Sequence, residues 1–190
     1  MRRQLVPAVL SFLALTVLVG VLYPLAVTGV SQLLFADKAD GSLVRRDGVV
    51  VGSSLLGQSF SGARWFQPRP SAAGDGYDGA ASGASNLGPT NPEFVRTVGR
   101  RIDAYRKLNG LAASAPVPVD AVTASASGLD PDISRLNARL QAPRVARARG
   151  LPVSRVLGLV DAHTSGRTLG FMGEGRVDVL ELNLALDSAR

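Results

Sequence analysis

The 190 residues carry no cysteine, one histidine and a formal net charge of +6, which excludes a disulfide framework, a thiolate zinc site and a multi-histidine metal site. Setting Arg2 and Arg3 aside leaves an excess of only four positive charges, too mild to argue for nucleic acid as a partner. Aromatic residues make up 5% of the chain, so a core must be built from Val, Leu and Ala.

Gln4 to Ala36 is a run of 33 positions without Asp, Glu, Lys or Arg. About 20 apolar residues cross a hydrocarbon core, and Leu10, Phe12, Leu13, Leu15, Val17, Leu18, Val19, Val21 and Leu22 leave no polar face. The run outlasts the roughly 7–15 apolar residues of a signal peptide, and no small-residue cleavage pattern follows it. The expected division is a short cytoplasmic N-terminus over 1–6, a transmembrane helix over 7–34 and one soluble domain over 35–190. Pro7 suits a first turn, while Pro24 is expected to kink the helix or end its regular part. Arg2 and Arg3 precede the span, and Asp37, Lys38 and Asp40 follow it. That asymmetry favours a cytoplasmic N-terminus and an extracytoplasmic C-terminal domain on a cell inner (plasma) membrane.

The rest reads as an α+β domain. Val49–Val51 and Leu55–Leu56 suggest one or two short strands, continued by Ala63 to Gln67 until Pro68 and Pro70 stop the ladder. Ser71 to Gly88 is Gly, Ala, Ser and Asp around a single Tyr77, either a flexible linker or a long ordered loop. Asn91 caps a helix with Pro92 at its first position, Phe94, Val98, Ile102 and Tyr105 recur at helical spacing, and Asn109-Gly110 ends it. Leu111 to Val119 is an extended connector. A helix is expected from Pro131 to Gln141, opened by Gly128-Leu129-Asp130-Pro131 and bent or restarted at Pro143. Another runs from Pro152 to Asp161, with Val153, Val156, Leu157 and Val160 on one face. Val177 to Leu186 reads as a strand running into a short terminal helix.

No catalytic constellation is visible. His163 is the only histidine and reads as a polar residue at a helix end. Asp37-Lys38-Ala39-Asp40-Gly41 lacks the threonine of a pump's phosphorylation loop, and the glycine-rich stretch lacks the Gly-Lys-Ser/Thr of a phosphate loop. Phosphate could still meet a helix N-terminus near Asp130 to Ile133. Arg135, Arg139, Arg144, Arg147, Arg149 and Arg155 either supply countercharge or form a solvated helix face.

Several odd motifs stand in order along the chain. They are Gly57-Gln58-Ser59-Phe60, Trp65-Phe66-Gln67-Pro68-Arg69-Pro70-Ser71, Tyr77-Asp78 with Ser82 to Pro92, Val122 to Ser134, Gln141 with Arg144 to Gly150, and Leu169 to Glu174 with Leu182 to Asp187. With them the chain resembles the C subunit of the Kdp-type potassium-transporting P-type ATPase. It departs from that pattern at Ala84, Asp132 and Gly175. The resemblance implies a non-catalytic accessory subunit of a high-affinity potassium import pump. Its partners would be a potassium-binding channel-like subunit, an ATP-hydrolysing P-type subunit, a small single-helix subunit and membrane lipid, with no nucleic acid. It also implies a role in assembly and as a catalytic chaperone raising the pump's affinity for ATP, with no metal bound by this chain. On that account nucleotide meets Gln141, with Arg144, Ser127 and Gly128 beside it. Subunit contacts are expected at Tyr77, Asp78, Ser85, Asn86 and the membrane residue Gly20. The alternative is a membrane-anchored extracytoplasmic binding module acting at the ion entrance without nucleotide contact.

Overall fold

A computed structural model describes residues 2–189, the side chain of Arg2 excepted. The chain divides into two compact units between Ser53 and Ser54.

The first unit opens with an unbroken helical run. Helix α1 (Arg2–Val17) passes into a π turn (Leu18–Leu22) and then into α2 (Tyr23–Leu34). Its 32 residues Arg3–Leu34 have a mean hydropathy of 2.6 in their most apolar window. At 1.5 Å per residue they reach about 48 Å, more than a hydrocarbon core requires. The expected irregularity at Pro24 takes the form of a register change: the α register stops at Val17 and resumes at Tyr23. A short helix α3 (Ala36–Ala39) leads to an antiparallel hairpin of β1 (Leu43–Arg46) and β2 (Val49–Ser53). Asp47 and Gly48 turn it with φ of 51° and 78°, the left-handed pair that suits the twist of a two-residue hairpin.

In the second unit α5 (Arg135–Arg149) is the central element, packed by α4 (Pro92–Asn109) and α6 (Val153–Ala162), with α7 (Val179–Ser188) packed in turn on α6. Three short strands, β3 (Asp132–Ser134), β4 (Thr164–Ser165) and β5 (Arg176–Asp178), form an antiparallel sheet in the order β3-β5-β4. The core gathers Phe66, Ile133, Ala138, Ala142, Val145, Val156, Val160, Val177, Leu182 and Leu186. Small residues on α5 let its neighbours approach closely.

Local chemistry explains the boundaries. Asn91 accepts from Glu93 N at 2.8 Å, and Gly110 closes α4 at φ 65°. Two expectations fail around α5. The helix begins at Arg135 rather than Pro131, because Ile133 turns into the core as the centre of β3 and Ser134 caps Asn137 N at 3.1 Å. Asp130 instead accepts from Asp132 N at 3.0 Å in a local turn. No helix N-terminus therefore stands at Asp130 to Ile133, and the phosphate site expected there falls with it. Nor does α5 restart at Pro143: it runs without interruption to Arg149, with Gly150 as its C-cap. An interior proline costs about 3 kcal/mol, but Ala142, Val145 and Ala146 beside it are fully buried, and that burial holds the helix through the gap.

Candidate functional site

Ala63 to Gln67, expected to continue a strand, joins no sheet: Ala63 and Arg64 form a turn and Trp65 a bend, and side chains serve the backbone groups of the segment instead. Asn183 accepts from Phe66 N and donates to Phe66 O, both at 2.9 Å. One helix away Gln141 repeats the arrangement, with Oε1 accepting from Gln67 N at 2.8 Å and Nε2 donating to Gln67 O at 3.1 Å. Each amide thus mimics one rung of a β ladder. Arg144 Nη1 donates to the carbonyls of Ala63 at 2.5 Å and Trp65 at 3.0 Å. Arg149 Nε donates to Arg64 O at 2.8 Å, and its guanidinium lies 4.5 Å from the centre of the Trp65 ring, close enough for a cation–π contact. Two amides from α5 and α7 and two arginines from α5 therefore form a clamp on the Gly62–Gln67 segment.

Behind the clamp runs a buried polar network. Gln141 Nε2 also donates to Asn137 Oδ1 at 2.9 Å, and Tyr105 Oη donates to the same atom at 2.9 Å. Asn137 Nδ2 donates to Asp120 at 2.9 Å. Arg144 donates through Nη2 to Gln141 Oε1 at 2.8 Å and through Nε to Asn109 Oδ1 at 2.9 Å. These oxygens are all neutral, and burial lowers the Arg144 pKa from its ordinary value, with the Tyr105 phenol opposing the shift. Gln141 and Arg144 are 1% and 5% exposed, so their polar atoms meet protein rather than solvent.

Ser127 and Gly128 serve the next part of the same segment. Ser71 Oγ donates to Gly128 O at 2.7 Å and accepts from Tyr77 N at 2.8 Å. Gly83 N donates to Ser127 O at 2.9 Å. Gly128 has φ 69°, and a Cβ there would stand 2.6 Å from both Ala73 N and Gly83 O, so only glycine fits. The glycine-rich stretch is thus an ordered loop in its Ser71–Gly83 part. Sequence grouped Gln141, Arg144, Ser127 and Gly128 as one site; the fold places the two pairs along different parts of one strap, residues 62–83. Asn183, Asn137, Asp120 and Tyr105 were missed, since nothing local distinguishes a clamp amide from any other helical Asn.

The expected contact residues have different settings. Tyr77 is half-buried at φ 58° and donates to Arg69 O at 2.6 Å, and burial raises its pKa while nearby Arg101 lowers it. Asp78 accepts from Ala80 N at 2.9 Å and is exposed, as are Ser85 and Asn86. Gly20 lies in the π turn of the N-terminal apolar helix. The arginine run divides: Arg144 and Arg149 turn inward, while Arg135 and Arg139 both pair with Asp161, at 2.8 and 3.1 Å. His163 follows the last residue of α6.

A cleft of about 350 Å³ is lined by Arg69, Asp120, Asp130, Asp132, Glu174 and Arg176 among others. Arg69 pairs with Asp130 at 2.8 Å and Arg176 with Asp132 at 2.9 Å. Burial raises the Asp132 pKa against the pull of Arg176. Nearby Asp178, the cap of α7, is pushed up to about 6 by burial, partly opposed by its hydrogen bond from Glu181 N.

Comparison with known proteins agrees with the motifs. A family model described as KdpC, the c chain of the K+-transporting ATPase, matches residues 5–188. The potassium-transporting ATPase KdpC subunit of Mycobacterium tuberculosis (strain H37Rv) is 59% identical over 187 residues, covering 98% of this chain and 99% of that protein. The subunit of the same name from Rhodospirillum rubrum is 56% identical over 98% of this chain and 96% of its own length. That of Koribacter versatilis is 47% identical over 100% and 97%. The chain belongs to the family of the c chain of the K+-transporting ATPase.

Proposed function

We propose that this chain is the membrane-anchored, non-catalytic accessory subunit of an ATP-driven potassium import pump. Residues 3–34 anchor it, and the unit from Ser54 onward stabilises the complex outside the cytoplasm while raising ATP affinity indirectly through the pump's conformation. Its partners are the potassium-binding, ATP-hydrolysing and small single-helix subunits. The observation that carries the indirect reading is the clamp itself. Gln141 uses both its oxygen and its nitrogen on Gln67, and its remaining bonds hold Arg144 and Asn137. The charge flanks of the membrane helix favour the same placement.

Direct nucleotide contact at Gln141 is the second reading. It would require Gln67 to leave the clamp so that a base or phosphate could take its place. Both readings are separated by isothermal titration of ATP into the full chain in detergent. The indirect reading expects no binding heat from the chain alone, with the ATP KM of the whole pump lowered when the subunit is present. Saturable binding to the chain alone, lost in Gln141→Leu, would overturn it.

A further inference from the structure

Helix α4 carries three arginines that no carboxylate answers. Arg96 Nε donates to Pro92 O at 3.3 Å, Arg100 Nη2 to Thr97 Oγ1 at 3.1 Å and Arg101 Nη1 to Val122 O at 3.1 Å. None of the three has an ion-pair partner among the described residues. Arg96 and Arg100 are exposed, whereas Arg101 is set into the surface. It lines a cleft of about 250 Å³ between α4 and the strap, walled by Pro68, Pro70, Tyr77, Ala104 and Leu108 among others. Burial lowers its pKa from the ordinary value; the Tyr77 phenol opposes that shift and Arg100 adds to it. The guanidinium has therefore given up part of its water without gaining a countercharge. Its planar fork holds five N–H donors, and a carboxylate is the group that matches two of them in parallel.

The basic character continues along the helix. Arg96, Thr97 and Arg100 line a second concavity of about 470 Å³ together with Glu93, so the two hollows hold three arginines against one glutamate. Arg100 and Ala104 stand four residues apart on one face, which joins them. From Arg96 to Leu108 the helix rises about 18 Å, the reach of about six residues of extended chain. We infer that this face of α4 is the docking site for an extended acidic segment of another pump subunit, one of whose Asp or Glu carboxylates enters the cleft and pairs with Arg101. A small carboxylate or a single lipid headgroup would fill one hollow and leave the other; acids spaced along a chain answer both, which is why a peptide segment is the occupant. The inference rests on the accessory-subunit reading and adds the contact face and the chemistry of the partner.

The test uses the full chain co-expressed with the other pump subunits, with a benzophenone amino acid placed at Ala104 or at Val95, an exposed position about 180° round α4 from it. Ultraviolet adducts from position 104 are expected on another subunit, on a peptide that contains Asp or Glu, at several times the yield from position 95. Arg101→Met keeps the apolar stem without the charge, so its co-purification with the pump is expected to fall several-fold and to lose most of its sensitivity to salt, while Arg101→Lys recovers part of both. The adduct at Ala104 is read with Arg101 intact, so it decides even where Arg101→Met folds poorly. Adducts with lipid only or with a second copy of this chain, no protein adduct, an adducted peptide without Asp or Glu, equal yields from Val95, or undiminished co-purification of Arg101→Met would each overturn the docking site. Failure of the unsubstituted chain to co-purify would instead overturn the accessory-subunit reading.

Discussion

Replacing Gln141 by Leu removes the centre of the clamp while keeping an apolar side chain on α5. The substitution strands Gln67 N, Gln67 O and Arg144 Nη2, bonded in the intact chain at 2.8, 3.1 and 2.8 Å. Asn137 Oδ1 keeps the Tyr105 hydroxyl at 2.9 Å and is not counted. A buried polar group left without a partner costs about 1–3 kcal/mol. Gln67 is half-buried, so water relieves part of its share, and a total of roughly 3–5 kcal/mol follows. Trp65 is the single tryptophan and sits in the clamped segment, so its fluorescence reports the clamp during urea titration of the full chain in detergent. With a slope of about 1–3 kcal/mol per molar urea, the midpoint should fall by at least ~1 M. A midpoint within ~0.3 M of the parent at unchanged slope would refute the reasoning. Parent-like stability combined with a raised ATP KM of the pump would point to nucleotide contact at this side chain instead.

Three further outcomes follow from the same geometry. Gly128→Ala should lose roughly 2–4 kcal/mol in the same titration, because it adds backbone strain to a 2.6 Å clash with Ala73 N and Gly83 O; Gly110→Ala, also at positive φ but with nothing within 4 Å, should lose only about 1 kcal/mol. Asp178, raised to about 6 by burial, holds its proton more tightly folded than unfolded. Its contribution to stability is therefore full below about pH 4 and lost as pH rises through about 6, and Asp178→Asn, which keeps a capping oxygen, should flatten the stability profile across that window. Arg149→Ala removes the stack on Trp65 and the bond to Arg64 O at 2.8 Å; it should shift the emission of the folded chain and lower the urea midpoint by less than Gln141→Leu does.

What sequence could reveal follows from how far each determinant reaches. The ends of α4 were legible because Asn91 and Gly110 act within a few residues of themselves. So was the strand that runs into α7, where apolar spacing changes over a short window. The true start of α5 was not, since Asp130-Pro131 is a good opening signal and only the pairing of Ile133 with Val177 overrides it. Persistence of α5 through Pro143 depends on burial against distant helices. Least legible was the clamp: Ala63 to Gln67 reads as a strand, but Ala63 and Arg64 turn, and the partners of Gln67 and Phe66 are single side chains 74 and 117 residues away. Arg144 and Arg149 were hidden in an arginine run whose composition suits a solvated face.

The central claim, that this subunit works outside the cytoplasm and acts on ATP affinity only through the pump, turns on which side of the membrane the second unit occupies. The absence of native cysteine allows a single probe at Ala126→Cys, an exposed position in the second unit. In intact cells carrying the assembled pump, a membrane-impermeant maleimide is expected to label this thiol as fully as it does after lysis. Labelling that appears only after lysis, with the thiol shown reactive in the folded complex, would place the unit beside the cytoplasmic nucleotide and contradict the account.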